Sequence, residues 1–317
     1  MELGTILEAL PGVSDPNVLI GPNTRDDAGV YRISEDRALL ATVDFFTPIV
    51  DDARAFGAIA AANSVSDVYA MGGRPLFALS LVAFPREKLA SGLLADIVQG
   101  GASKLQEAGV PVLGGHSVDD PEPKFGYAVV GEVDPQRMIT HRGAQPDDFI
   151  YVTKPLGLGL IATAVKRGLC PPDVEAEAVR VMTHLNRNAS RAMVEAGASA
   201  ATDITGYGLV GHLLNLEVGA EIELGRVPFI NGVRELAELD LFPGGTRRNR
   251  EAFAETVDWG SVGELNELLL CDAQTSGGLL VTLPAERAER LERALAGEPY
   301  PAVCIGRVST GRIRVLS

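Results

Sequence analysis

Cysteine is scarce in this chain of 317 residues: Cys170, Cys271 and Cys304 are far apart, odd in number and form no Cys-x-x-Cys pair. That pattern argues against a disulfide framework or a zinc site and suggests reduced, mostly buried thiols. No apolar run approaches the length of a membrane span. The N-terminus lacks a basic stretch followed by an apolar one, so it does not read as a secretory signal, and a cytoplasmic location is expected. Positive charge is also in deficit, with 28 Lys and Arg against 42 Asp and Glu, a formal net charge of −14. A nucleic acid or an anionic membrane is thereby disfavoured as a partner, because each needs a basic footprint. No lysine precedes Lys88 and no Gly-Lys pair occurs, so a Walker A loop is absent. Any nucleotide site must use another architecture, and an acidic chain that handles phosphates must recruit cations.

What is present fits two α/β domains. The length gives a prior of two units of about 150 residues, and 46% hydrophobic residues suffice for two buried cores. In the first half, 38–44 reads as a strand ending in an acid. A helix is expected over 54–71, stopped by Gly72-Gly73. Residues 76–84 read as a buried strand, 87–108 as a helix, and 110–113 and 127–133 as strands. This order suggests a sheet with helices on one face. The polar stretch 142–148 marks a boundary, dividing the chain into 1–146 and 147–317. Beyond it, 149–153, 220–224 and 278–283 read as strands. One long helix is expected over 175–196, and a solvated surface helix over 285–295.

Four placements of acid stand out. Thr24-Arg25-Asp26-Asp27 occupies a turn before the strand-like Val30-Tyr31, Asp44 ends a strand, and Asp203 sits at the mouth of a glycine-rich turn. Asn63 and Asp67 are four residues apart on one expected helix, hence on one face. Carboxylates so placed can converge where magnesium meets a polyphosphate. Each also has a structural reading: Asp26 as a turn residue, Asp44 as a strand terminator, Asp203 as a helix N-cap. Asp67 differs, because among Ile59, Ala60, Val65, Val68 and Met71 an unpaired carboxylate is costly to bury. The nearby cations are Arg25, Arg54 and Arg74, so a triphosphate here needs bridging divalent ions.

Glycine-rich segments are less specific. Residues 157–162 follow a strand and precede a helix, but no acid-ending strand follows at dinucleotide-site spacing. Residues 206–211 match the same pattern without a convincing strand before them. Gly114-Gly115-His116-Ser117 reads as a turn whose backbone N–H groups can cradle phosphate. His141, His184 and His212 show no metal-ligand spacing, and His212 reads as a hydrogen-bonded core residue.

Together, Thr24–Ala28, Asp44–Asp51, Asn63–Asp67 with Ala70–Gly73, Gly114–Ser117, Pro121–Pro123, Asp203–Leu209 and Cys271–Gly278 resemble the selenophosphate synthetase family along the whole chain. The Asn-x-x-x-Asp and Met-Gly-Gly portion also resembles the wider superfamily of aminoimidazole ribonucleotide synthetase, thiamine-monophosphate kinase and a hydrogenase-maturation protein. A thiamine-monophosphate kinase-like enzyme or a non-catalytic nucleotide-binding relative is therefore the alternative. The resemblance implies a two-domain aminoimidazole-ribonucleotide-synthetase-like α/β fold whose N-domain sheets pair in a homodimer as a shared barrel. It implies ATP, selenide and water as substrates, several Mg2+ ions, and selenophosphate, AMP and orthophosphate as products. Thr24, Arg25, Asp26, Asp44, Asp67, Gly115, His116 and Ser117 match ATP-binding positions. Asp27, Asp67 and Asp203 match metal ligands, with Asn63 and Asp44 close to the metals. A selenium-delivery protein is a further expected partner. Asp203, from the second domain, is expected to link domain closure to metal binding and to exclude water from the selenide step.

The family's N-terminal glycine-rich segment carries a cysteine or selenocysteine followed by a lysine. Met1–Leu7 aligns with the helix after that segment, so no catalytic nucleophile is assigned in this chain and impaired turnover is expected of residues 1–317 alone.

Overall fold

The computed structural model describes residues 13–22, 24 and 26–317. Arg25 and the segment Met1–Leu7 lie outside the described residues.

The first half builds a six-stranded sheet. Its strands are β1 (Val18–Ile20), β2 (Gly29–Arg32), β3 (Ala38–Phe46), β4 (Arg74–Phe84), β5 (Val112–Asp119) and β6 (Lys124–Val133), in the order β1-β2-β3-β6-β4-β5. All neighbours are antiparallel except β4 and β5. Side chains alternate along β3: Ala38, Leu40, Thr42, Asp44 and Phe46 face the helices, while Val43 and Phe45 stand 58% and 51% exposed on the other side. The inner row is apolar except for Thr42 and Asp44.

Helices cover that inner face. The helix expected over 54–71 is two helices, α1 (Ala53–Ser64), capped by the Asp52 carboxylate on Ala55 N at 2.6 Å, and the short α2 (Ser66–Ala70), with a break at Val65. Asn63 and Asp67 therefore belong to different helices. The helix expected over 87–108 is a 3-10 turn, Arg86–Ser91, followed by α3 (Leu93–Ala108), because Gly92 adopts φ +80°. α1 and α3 cross very closely: a Cβ on Gly57 would lie 1.9 Å from Ile97 O.

Residues from Phe149 onward form a seven-stranded mixed sheet from β7 (Phe149–Val152), β8 (Ala200–Asp203), β9 (Gly219–Glu223), β10 (Val257–Asp258), β11 (Leu279–Leu283), β12 (Val303–Ser309) and β13 (Ile313–Leu316), in the order β10-β13-β9-β12-β7-β11-β8. The helices that bear on the site are α4 (Leu158–Lys166), α5 (Pro172–Thr183), α6 (Arg187–Ala196) and α7 (Gly208–Asn215). The long helix expected over 175–196 is thus split at 184–186, and the one over 285–295 begins as a 3-10 turn. A strand, β8, does precede the 206–211 turn. Ala200-Ala201 hid it, since alanine carries little strand preference.

The second sheet keeps a core of its own, with Ile150, Ile222, Leu280 and Ile305 at its centre, but the first sheet's core extends into the second half. One apolar cluster runs from Phe56, Ile59 and Phe125 through Leu160, Val181 and Met182 to Leu241 and Phe242. No described helix is long and apolar enough to cross a membrane.

Candidate metal and nucleotide site

The inner face of β3 supplies the floor of the site. Thr42 donates its hydroxyl hydrogen to Asp67 on α2, and Asn63 Nδ2, at the end of α1, donates to Asp44 Oδ2 at 2.9 Å. Although the helix breaks between them, Asn63 and Asp67 both reach the polar pair of the strand beneath. Asn63 also accepts from Ser276 N at 2.8 Å, so one amide joins the first half of the chain to the loop before β11. Ser276 holds φ +52°, a left-handed conformation that a non-glycine residue adopts at a cost. Its Oγ donates to Met182 O at 2.7 Å, and its carbonyl accepts from Lys154 Nζ at 3.0 Å. Lys154 is fully buried, and burial lowers its ammonium to about 7.

The wall comes from both halves. Asp26 and Asp27 leave the turn that Thr24 closes by donating to Gly21 O at 2.6 Å. Thr202, on β8, donates to Asp27 Oδ1 at 2.8 Å. Behind it, His212 on α7 accepts from Thr205 N through Nε2 at 3.0 Å, which leaves the proton on Nδ1, 3.3 Å from Thr202 Oγ1. Burial lowers His212 to about 4, so it is neutral and directs the threonine hydroxyl at Asp27. His141 Nε2 lies 3.0 Å from Asp27 Oδ1 and 3.6 Å from Asp26 Oδ1. Burial pulls its pKa down, but the bond to Asp27 and the charges of Asp27, Asp26 and Asp203 outweigh that and raise it.

Negative charge is packed densely. Burial, then Asp203, Asp44 and Asp27, push Asp67 well above the usual carboxylate range. Burial and Asp27 raise Asp203 to about 7, against smaller opposing effects of Ser66 and Lys154. Asp44 is raised by burial and by Asp27, and Asp26 by burial in spite of His141. Of the arginines named from sequence, the two among the described residues do not relieve this: Arg54 pairs with Asp96, and Arg74 with Glu132. Two buried carboxylate oxygens, Asp27 Oδ2 and Asp203 Oδ2, have no hydrogen-bond partner among the described residues. Orphaned anionic acceptors facing further carboxylates fit a hard divalent cation with oxygen ligands.

Asp26, Asp27, Asp44, Asn63, Asp67 and Asp203 are therefore brought together. Gly115, His116 and Ser117 are not. They do not form a turn but lie within β5, paired in parallel with Ser80, Leu81 and Val82 on the sheet's edge. Three strand spacings separate β5 from β3, roughly 14 Å. Gly115 is explained by close approach, since a Cβ there would lie 2.2 Å from Ser80 O. Sequence reasoning missed His141, which forms a potential metal-binding trio with Asp26 and Asp27. It also missed Thr42, Thr202 and Lys154. Thr42 had a signal, as a polar residue in an inward apolar row. His141 had none, being more than a hundred residues from its partners.

The residues Cys271–Gly278 prove to be scaffold around the site. Asp272 accepts from Gly159 N and Leu160 N, and Gln274 Oε1 from Gly157 N and Leu158 N, which satisfies the free amides at the start of α4.

Comparison with known proteins agrees with this architecture. The family described as AIR synthase related protein matches with its N-terminal domain over residues 25–133 and its C-terminal domain over 145–316. The chain is 48% identical to selenide, water dikinase of Carboxydothermus hydrogenoformans over 99% of this chain and 92% of that one. It is 46% identical to the Myxococcus xanthus protein of the same name, over 98% and 90%. Among solved structures, thiamine-monophosphate kinase from Stenotrophomonas maltophilia is similar with a TM-score of 0.68 at 18% identity, covering 99% of this chain and 94% of that one. Hydrogenase maturation protein HypE in complex with ATP is similar at 0.67 and 21%, covering 94% and 82%. At such identities these two likenesses concern the fold alone.

Proposed function

This chain belongs to the selenide, water dikinase family, and from that premise we propose that it phosphorylates selenide with ATP, releasing selenophosphate, AMP and orthophosphate. The observation that carries the reading is the convergence of Asp27, Asp44, Asp67 and Asp203, with two buried carboxylate oxygens lacking partners among the described residues. Asp27, Asp67 and Asp203 would hold magnesium, with Asp44 and Asn63 beside it. Magnesium bound there supplies neutralisation of phosphate charge and polarisation of the phosphoryl oxygen. The chain's own groups do the positioning. Thr42 fixes Asp67, the His212–Thr202 pair fixes Asp27, and Asn63 fixes Asp44 while gripping the Ser276 loop. His141 bonds Asp27 through Nε2 beside Asp26, and its raised pKa favours the positive charge that would offset theirs.

The proposal includes the nucleotide contacts Thr24, Arg25, Asp26, Asp44, Asp67, Gly115, His116 and Ser117, and the division at 146/147. It also includes a homodimer. The uncovered sheet face carries exposed Val43 and Phe45 on β3, Leu79 on β4 and Val118 on β5, apolar surface of the kind that pairs with a second copy. Three unpaired cysteines accord with a cytoplasmic location. A selenium-delivery protein belongs to the proposal, with no surface assigned to it.

Phosphorus NMR of ATP, magnesium and selenide with the protein tests the reading, run with the chain as it stands and with a cysteine- and lysine-bearing segment added at its N-terminus. Appearance of selenophosphate with AMP and orthophosphate in one-to-one proportion supports it. ADP formation dependent on thiamine monophosphate, and none on selenide, overturns it.

A further inference from the structure

Asp67 and Tyr69 are two residues apart on α2, about 200° around the helix axis. Asp67 faces the acids; Tyr69 lines a separate cavity of about 680 Å³ between the six-stranded sheet and α6. The cavity is unusual for a protein of net charge −14, because five arginines line it. Arg37 and Arg74 are engaged with Glu132. Arg137, Arg187 and Arg191 form no ion pair among the described residues, although Asp36, Asp134 and Glu195 also line the space. Arg187 and Arg191 are four apart on α6 and so share a face. Arg187 spends one N–H on Glu107 O at 2.9 Å, which steadies the guanidinium and leaves its other donors free.

Tyr69 gives the independent sign of a ligand. The residue is 3% exposed, yet its hydroxyl has no hydrogen-bond partner among the described residues. Arg187 lies within electrostatic reach of that hydroxyl. A buried phenol without a partner is destabilising, and an acceptor placed in the cavity relieves it. Planar guanidinium forks beside a hydroxyl donor suit a tetrahedral oxyanion, which takes several charge-assisted bonds at once.

We propose that this cavity is a phosphate-binding site, with Arg137, Arg187 and Arg191 donating to the phosphate oxygens and Tyr69 donating its hydroxyl hydrogen. The volume admits either free orthophosphate or the 5′-phosphate of a nucleoside monophosphate. Both are products under the function proposed above, and only the choice of these two probes rests on that reading. Occupancy would couple α6 to the helix that carries Asp67, since Ser190 Oγ on α6 already donates to Tyr69 O at 2.6 Å.

Calorimetric titration of the whole chain with orthophosphate, and separately with AMP, in EDTA and without ATP tests the proposal. One bound ligand per chain is expected with at least one of the two. Arg187→Gln combined with Arg191→Gln should weaken it about a hundredfold and Tyr69→Phe about tenfold. Asp67→Asn should leave it unchanged, which separates this site from the acid-lined one. Tighter binding of AMP than of orthophosphate assigns the nucleotide as source; equal affinity assigns the free anion. Failure of both ligands to bind at millimolar concentration, arginine variants that bind like the parent, or loss of binding in Asp67→Asn would each overturn it. The arginines are exposed, so their variants are expected to fold even where Tyr69→Phe does not.

Discussion

Replacing Asp203 by Asn should stabilise the metal-free protein while disabling its hold on magnesium and nucleotide. Asp203 is buried, and its carboxyl is raised from 3.8 to about 7, first by burial and then by Asp27. A raised folded-state pKa means that the folded chain keeps a proton the unfolded chain has lost. Stability is therefore full below pH 4, falls as the pH rises toward 7, and levels off above it. About three pKa units at about 1.4 kcal/mol each set an upper bound near 4 kcal/mol. It is a bound because water or a cation reaching Asp203 relieves the ionised form. Asn has similar shape and no charge, so its advantage should grow over the same window. At roughly 2 °C per kcal/mol for a chain of this size, the variant should melt about 4–8 °C higher than the parent at pH 8, and by less than half of that at pH 5. Scanning calorimetry in EDTA at the two pH values measures this. With magnesium and a non-hydrolysable ATP analogue, the parent should gain stability by ligand linkage and the variant should not. A variant that melts with the parent at both pH values, or gains equally from magnesium and nucleotide, would refute the electrostatic argument.

Other perturbations probe separate parts of the structure. Asp67→Ala should abolish magnesium-dependent ATP binding with the fold intact; calorimetry showing parental affinity would remove Asp67 from the ligand set. Asn63→Leu strands Ser276 N and frees Asp44, and should cost about 2–4 kcal/mol in urea unfolding, with an unchanged midpoint counting against the inter-sheet bridge. Gly57→Ala places a methyl 1.9 Å from Ile97 O and should cost about 2–3 kcal/mol, or prevent folding, unless α1 and α3 can separate freely. Val43→Glu with Phe45→Glu should yield monomers by light scattering while leaving the melting temperature of the isolated chain near the parent's.

Much of the site was legible because its residues violate local patterns. Asp67 sits among apolar neighbours and so asked for a partner, whereas Asp44 also read as a strand end and Thr42, a polar residue in an otherwise apolar inward row, carried a signal that went unread. The break at Val65 was not legible, since neither glycine nor proline marks it; Ser64 stops α1 by turning its hydroxyl onto Ala60 O at 2.9 Å and Tyr127 N at 3.2 Å. Gly114-Gly115 misled in the opposite sense: adjacent glycines suggested a turn, whereas one of them permits strand contact. His141, Lys154 and Thr202 could not be found from spacing, because their partners are set by how two sheets meet. The first sheet's long strands β3, β4 and β6 were legible from apolar runs, but only β7, β9 and β11 of the second sheet's seven strands were, and the cluster that joins the two halves was not.

That joining cluster bears on how the substrates come and go. An unbroken hydrophobic seam from Phe56 and Ile59 to Val181 and Met182 resists any swing of one half against the other, because opening it would wet closely packed side chains. If these acids receive the nucleotide as proposed, the basin is assembled before it arrives, and little binding energy is diverted into clamping shut. Under the proposed function, turnover should then respond to changes in short segments beside the acids, such as the Ser276 loop, more than to the stiffness of the chain near residue 146.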